Sequence, residues 1–364
     1  MANSGRVTVI GAGIFGLCAA WHLRARGRDV TVVDRRGPGA GASGGLVGAL
    51  SPHVPDRWNA KKQFQRDALL AAAGFWAEVE AVAGQSSGYG RTGRLLPLPD
   101  AHARAIAEER AEGAAEFWAG VASWTVLPPG EDHPFAPDAA AAGIVHETLS
   151  ARIAPARACA TLARALERRG VLFQTGTVMA EPGGALSLDG DAIDGPAVIA
   201  AGTGSFDLLR GLGRANRGRG VKGQAALLRP SRPMNGPILY DRGIYVIGHA
   251  DGTVAVGSTS ETEFDDPYGT DALLDRVIAD ARVLVPSLAD APVIGRWAGL
   301  RPRAPERDPM VGPLPDRPDL IVATGGFKTG LALAPRIGDA VAAFLSGEVP
   351  DLPDSFAPAH HLKG

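Results

Sequence analysis

The chain has 364 residues, too long for one small core and suited to two closely packed domains. Its 45% hydrophobic and 21% charged residues and formal net charge of -2 are ordinary for a globular protein, and give no reason to expect nucleic acid or an anionic membrane as a general partner. The two cysteines, Cys18 and Cys159, make neither a disulfide framework nor a metal cluster; both read as buried small side chains of a cytoplasmic protein.

From the amino end, residues 1 to 6 lead straight into the apolar run at Val7 with no leader-like segment, so secretion is not expected. Val7 to Ile10 is β-branched and strand-like. A glycine-rich turn follows, then an apolar helix over 14 to 26 and a second strand from Asp29 to Val33 that ends at Asp34, which makes a βαβ unit. That helix is interrupted by Gly16 and His22 and falls short of the roughly 20 apolar residues that cross a membrane. An alanine-rich helix is predicted over 59 to 83, stopped by Gly84, then a strand over 93 to 98 and helices over 100 to 121 and 155 to 169. A strand at 171 to 174 leads into a short hairpin. The continuous apolar run from Ala197 to Ala201 stops at Gly202-Thr203-Gly204, as a buried parallel strand entering a backbone turn does.

From 220 to 259 the texture changes to short alternating strands at 225 to 229, 237 to 241, 244 to 248 and 253 to 257, separated by turns such as Asp241-Arg242-Gly243. This predicts an antiparallel sheet, completed by a helix over 270 to 284 and a strand over 293 to 300. The carboxyl part returns to the first texture with a strand at 320 to 323, the turn Thr324-Gly325-Gly326 and a helix over 331 to 345. The fold class is therefore α/β. A discontinuous Rossmann-like domain (1 to 84, 150 to 219 and 300 to 364) carries an inserted α+β domain (85 to 149 and 220 to 299) with an antiparallel sheet.

The strongest motif is Gly11-Ala12-Gly13-Ile14-Phe15-Gly16, placed after a strand and opening a helix, with Asp34 ending the next strand 23 residues beyond Gly11. Gly11 permits the tight turn, Gly13 lets backbone approach a pyrophosphate at the helix amino end, and Gly16 allows close helix-on-strand packing. Asp34 accepts hydrogen bonds from an adenosine ribose. This unit alone does not separate FAD from NAD. Two further glycine turns, at 202 to 204 and 325 to 326, converge on the same sheet edge and suit the longer cofactor. The helix after Phe327-Lys328-Thr329-Gly330 would face a flavin pyrimidine ring, where its dipole and Lys328 stabilise the charge gained on reduction.

Several segments together resemble the glycine oxidase and D-amino-acid oxidase family. They are Trp297-Ala298-Gly299-Leu300-Arg301-Pro302, Asp308-Pro309-Met310-Val311-Gly312, the run from Gly325 to Pro335, Val221-Lys222-Gly223-Gln224, and the hairpin segments Ile244 to Ile247 and Val256 to Thr259. The front segment, Gly41 to Gly44 and Gly48 to Pro52, matches the family's second FAD contact and also resembles the oxidase domain of the tRNA-uridine modification enzyme MnmC. The likeness spans nearly the whole chain. It implies noncovalent FAD held by Gly11, Gly13, Ile14, Phe15, Gly16, Asp34, Arg35, Ala42, Ser43, Gly48, Ala49, Leu50, Val178, Ala201, Gly202, Arg301, Gly326, Phe327, Lys328, Thr329, Gly330 and Leu331.

The resemblance further implies that Arg301 takes the substrate carboxylate as a bidentate pair, that the Tyr245 hydroxyl supports it, and that Lys328 stands where glycine oxidase has an arginine. Gly243 stands where a histidine is expected, and Gly248-His249 replaces a proline and a basic residue, which puts glycine itself in doubt. The implied chemistry is hydride transfer from the carbon beside the amine to flavin N5, giving an imine that water hydrolyses; no general base is strictly required. His53 reads as a loop histidine, and Lys222 either as a residue near the active site or as a solvated strand-edge lysine. The substrate is expected to be a small amine or amino acid, with oxygen or a quinone as electron acceptor, and a homo-oligomer is compatible with such a chain. Two rivals remain: oxidation of a modified uridine on tRNA, favoured by the loop Arg210, Arg214, Arg217 and Arg219, and a noncatalytic subunit of a flavin dehydrogenase; an NAD-linked dehydrogenase fails on the absence of a second nucleotide fingerprint or hydride-relay histidine pattern.

Overall fold

Runs of β-branched and small apolar residues build the centre of the molecule. The computed structural model describes residues 5 to 130 and 132 to 362, so the readings that touch residues 1 to 4 and the last two residues lie outside the described residues. Val7–Ile10, Val30–Asp34, Leu172–Thr175, Ala197–Ile199 and Arg317–Thr324 are parallel strands of a six-stranded sheet, and Met310–Leu314 closes its edge antiparallel to Arg317–Thr324. The βαβ unit is present: Val7–Ile10 pairs in parallel with Val30–Asp34, with the helix Ile14–Ala25 between them.

Four helices build the largest core: Ile14–Ala25 and Gly330–Leu345 lie against the sheet, and Ala60–Ala83 and Pro155–Arg168 pack onto them, with Trp21 and Trp76 almost wholly enclosed. The boundaries of Ala60–Ala83 follow from its caps. Asn59 Oδ1 accepts from Lys62 N at 3.1 Å, and Gly84 ends the helix at φ +68. A cap of this kind contributes about 1 kcal/mol.

An eight-stranded sheet forms the second body. Its order is Val293–Arg303, Arg219–Leu228, Val254–Gly257, Ile244–Gly248, Ile238–Asp241, Arg94–Pro97, Ile144–Glu147 and Trp124–Leu127. The helix Ala272–Leu284 packs on it around Leu274, Ile278 and Ala281. The chain thus crosses from the first sheet to the second twice. The first crossing runs through the helix Ala60–Ala83 and the second through the helix Gly204–Gly211, and the open ends of the parallel strands face the second sheet.

Three sequence expectations change here. The second sheet is not wholly antiparallel, because Ile238–Asp241 pairs in parallel with Arg94–Pro97 and thereby joins two segments remote in sequence. The predicted helix over 100 to 121 ends at Phe117; Trp118 turns inward, fully buried, and the chain forms the unpredicted strand Trp124–Leu127. The predicted strands 225 to 229 and 293 to 300 are one end of a long ladder that runs from Leu228↔Val293 to Arg219↔Arg303. Gly220, Gly223, Gly299 and Pro302 weaken the local strand signal, and the partner strand supplies what propensity lacks. Among the described residues no helix is long and apolar enough to cross a membrane.

Candidate active site

A cavity of about 570 Å³ lies between the carboxyl ends of the parallel strands and one face of the eight-stranded sheet. That volume is in the range of cofactor and ligand sites. Its two ends differ in what they are made of.

At one end the wall is backbone. Gly11 holds φ +110, and a Cβ there would stand 2.4 Å from the Ala200 carbonyl oxygen. A Cβ on Gly16 would stand 1.9 Å from the Gly11 carbonyl oxygen, so the helix lies against the turn as the motif requires. The cap residue of Ile14–Ala25 is Gly13, with no side chain to close the helix end and no acid in the first turn. Ser43 Oγ accepts from Ile14 N at 3.0 Å and brings the Ala42–Gly44 turn to that end. Asp34 closes the far side: its Oδ2 accepts from Ala12 N at 2.9 Å and its Oδ1 from Arg36 N at 2.8 Å and Gly37 N at 3.0 Å. Apart from the Ile14 N–H taken by Ser43, this helix end has no capping side chain, and together with the glycine turn it forms a cradle for an anionic dinucleotide.

A second helix end lies deeper. Gly330–Leu345 starts at Thr329 with no side-chain cap, and Lys328 precedes it on the cavity wall. A Cβ on Gly326 would meet the Phe15 ring at 2.6 Å and Gly330 Cα at 2.8 Å, so backbone again sets the shape. Burial, and after it the nearby Arg301, lowers the Lys328 ammonium pKa.

At the other end the wall is side chains. Trp297 to Pro302 of Val293–Arg303 line the cavity, with Trp297, Gly299 and Arg301 on one face of the strand. Gly223 lies opposite Gly299, and a Cβ there would collide with the Arg301 guanidinium at 2.1 Å; the missing side chain is what lets that group lie flat across the sheet. Arg301 Nη2 donates to Ser258 Oγ at 2.7 Å and Nη1 to the Thr259 carbonyl at 3.1 Å. Burial pushes its pKa down to about 10, against the pull of Glu261, which leaves it cationic at neutral pH with donors to spare.

Tyr245 stacks at a tilt on Tyr240 with ring centroids 4.5 Å apart, and burial raises its phenol pKa, so it stays a donor. Behind this pair lies an ion pair enclosed in the core, Arg94 Nε to Glu147 Oε1 at 3.0 Å, with Arg94 Cζ 5.5 Å from the Tyr240 ring. Glu147 Oε2 also accepts from Leu149 N at 2.8 Å and Ser150 N at 2.9 Å.

Of the residues singled out in the sequence, the cavity brings together Gly11, Gly13, Ile14, Phe15, Asp34, Arg35, Ala42, Ser43, Ala49, Val178, Ala201, Gly202, Tyr245, Arg301, Gly326, Phe327, Lys328, Gly330 and Leu331. Gly16, Gly48, Leu50 and Thr329 stand just behind it: Gly16 packs on Gly11, Gly48 on the Ile153 carbonyl, Leu50 is fully buried, and Thr329 Oγ donates to the Gly326 carbonyl. His53 is off the cavity, held by Gln65 Oε1 through its backbone N–H at 2.7 Å. The solvated reading of Lys222 is overturned. Its side chain is 3% exposed, with Nζ 3.2 Å from Asp271 and 3.7 Å from Glu261. Together with Gln224 it anchors the 259 to 261 segment that carries Arg301's acceptor. The predicted basic loop is partly neutralised, Arg210 by Asp207 and Arg214 by Asp316.

Sequence reasoning missed Tyr240, Ser258, Tyr268 and Trp297 as cavity residues. The period-2 alternation with Arg301 marks Trp297. No local signal marks the other three, which arrive through strand pairing or from loops.

A cradle for a dinucleotide anion, a second helix end and an arginine-bearing sheet face around one cavity define a flavin-type oxidoreductase. The sequence pattern of the FAD dependent oxidoreductase family (DAO) matches residues 6 to 344, and the chain belongs to that family. FAD is its cofactor, and the fit at Gly13, Ser43 and Gly326 is of the kind FAD needs. The chain is 31% identical to a glycine oxidase of Pseudomonas aeruginosa over 377 residues, 99% of this chain and all of that one. Its fold is similar to the crystal structure of glycine oxidase from Geobacillus kaustophilus, with a TM-score of 0.87 at 20% identity over 98% of this chain and 100% of that one. It is similar also to iminodiacetate oxidase from Chelativorans sp. BNC1, with a TM-score of 0.85 at 24% identity over 97% of this chain and 99% of that one.

Proposed function

We propose that this enzyme oxidises the C–N bond of a small amino acid or secondary amine whose carboxylate pairs with Arg301. The observation that carries this reading is the Arg301 guanidinium, flat over Gly223, tied on one edge to Ser258 and Thr259 and facing the cavity. A planar fork fixed in this way binds a carboxylate in one orientation, which aims the carbon beside the amine. Tyr245, kept protonated by burial, donates a second hydrogen bond to the same carboxylate. Lys328, beside the head of Gly330–Leu345, offsets negative charge that develops in the middle of the cavity.

FAD supplies the two-electron acceptor when bound. The chain's own residues bind, orient and exclude water: Trp297 and the tyrosine pair cover the space beside Arg301. The product imine then hydrolyses in water. Residues 1 to 84, 150 to 219 and 300 to 364 are assigned to holding FAD and 85 to 149 and 220 to 299 to the substrate, with Arg301 reaching the substrate from the strand Val293–Arg303 that crosses this boundary. Two buried, unpaired cysteines suit a cytoplasmic protein.

The test is anaerobic mixing of the purified holoenzyme with glycine, sarcosine, D-amino acids and proline while following the flavin band at about 450 nm. Bleaching by an amino acid or secondary amine is the expected result. A flavin that none of them reduces would favour a macromolecular substrate or a noncatalytic subunit, and the proposal would fail. Turnover under air compared with turnover on a quinone then identifies the acceptor, and light scattering gives the oligomeric state.

A further inference from the structure

The sheet face that carries Arg301 continues past the cavity. Two residues further along Val293–Arg303 stands Arg303, and directly opposite it in the ladder stands Arg219. Like charges facing each other across an antiparallel pair lower stability. A third arginine adds to the load: burial, then Arg307 and Arg219, push the Arg303 guanidinium pKa down. Lys328 closes the group from the other side, because Arg303 Cζ and Lys328 Nζ lie 6.0 and 5.6 Å from the same Phe327 ring.

The arrangement is built rather than loose. Phe327 holds a left-handed φ of +42, its N–H donates to the Pro302 carbonyl at 3.0 Å, and Arg303 bridges to Gly326, so the loop bearing Lys328 is fastened to the strand bearing Arg301 and Arg303. The acids nearest in sequence are engaged elsewhere: Asp308 with Lys61, Asp316 with Arg214 and Asp319 with Arg317. Glu306 bridges none of the group. Among the described residues, Arg219, Arg303, Arg307 and Lys328 form no ion pair, in a chain whose net charge is -2. The three arginines stand outside the cavity lining, next to Pro302, Gly326, Phe327 and Lys328, which belong to it, and unpaired cations at that rim of a cavity with a cationic fork call for an anion from outside.

We propose that Arg219, Arg303 and Arg307, with Lys328, form a second anion subsite next to Arg301. It takes an acid group, carboxylate or phosphonate, carried on the far side of the substrate's amine, so that the preferred substrate is a dianionic secondary amine. The inference rests on the reading that Arg301 holds the first carboxylate. RNA, the other polyanion to consider, is disfavoured by the pairing of Arg210 and Arg214 with their own acids.

The experiment compares kcat/KM of the holoenzyme for sarcosine, with one acid group, against iminodiacetate and N-(phosphonomethyl)glycine, with two. Wild type should favour a dianion by about tenfold or more, the size of one charge-assisted contact. In the Arg219→Ala/Arg303→Ala double variant that preference should collapse while the sarcosine value holds and the melting temperature stays level or rises, since a like-charge pair has been removed. Whichever dianion is favoured tells which acid group the subsite takes. A dianion preference absent from wild type, or unchanged in the double variant, overturns the subsite. So does a parallel loss on sarcosine with a lower melting temperature, the mark of a structural role. Salt-sensitive tRNA binding that disappears in the double variant, without any dianion preference, reassigns the patch to RNA. If no amine reduces the flavin, sarcosine included, the amine-oxidising reading itself has failed, which is distinct from a lost ratio.

Discussion

The nucleotide end of the cavity is built from backbone, and the substrate end from side chains held by other side chains. At the first, chain packs where side chains would collide, a Cβ on Gly11 with the Ala200 carbonyl and one on Gly326 with the Phe15 ring, and the groups facing the cavity are helix N–H donors. At the second, Arg301 depends on Gly223, Ser258 and Thr259, and Tyr245 has Tyr240 and the Arg94–Glu147 pair behind it. A backbone cradle suits a cofactor that does not vary. A side-chain platform is open to retuning for different substrates without disturbing the fold.

Four measurements sharpen or break this contrast. The largest effect is expected from Gly11→Ala, which combines φ +110 with a contact 2.4 Å from the Ala200 carbonyl oxygen. It should cost at least about 3 kcal/mol and yield colourless protein; flavin content equal to wild type would show that the cradle is not set by backbone. Next comes Glu147→Gln, which strands Arg94 in the core and should lower the unfolding free energy by about 3 to 5 kcal/mol in urea. FAD content should survive that change.

Arg301→Lys keeps the charge and loses the fork. We expect kcat/KM to fall about a hundredfold with normal flavin absorbance; loss of FAD instead would mean that the two ends are not separable. The smallest effect concerns pH. His53, His249 and His361 are held below the ordinary histidine pKa, in each case chiefly by burial. The unfolded chain therefore binds protons first as pH falls, and the stability these groups contribute is present above about pH 6.5 and lost below it toward their folded values. The urea midpoint should drop between pH 7.5 and 5.5, and a flat profile would contradict that burial.

The contrast also explains what was legible in the sequence. The nucleotide end announces itself locally, because Gly11, Gly13, Gly16 and Asp34 fall within one βαβ unit and their spacing carries the geometry. Spacing does not tell lining residues from those one layer behind, hence Gly16, Gly48, Leu50 and Thr329. At the substrate end Arg301 and Tyr245 were reached through resemblance to a family, and Lys328 through the glycine turn and the helix it precedes. Arg94 and Glu147 were not reached at all. They come to the tyrosines through the parallel pairing of Arg94–Pro97 with Ile238–Asp241, a contact between segments far apart in sequence that no local periodicity encodes.

One close approach in the first core has a wider meaning. Gly338, in the middle of Gly330–Leu345, lies where a Cβ would come within 2.5 Å of the Cys18 carbonyl group in Ile14–Ala25, so the two helices touch backbone to backbone. Both point their uncapped amino ends into the same cavity. Clamped at this point, they act as the two jaws of a calliper with a fixed opening. The gauge is set by the fold before any ligand arrives, and little ordering is left to oppose binding. A residue larger than glycine at 338 would open the jaws from a position that touches no ligand.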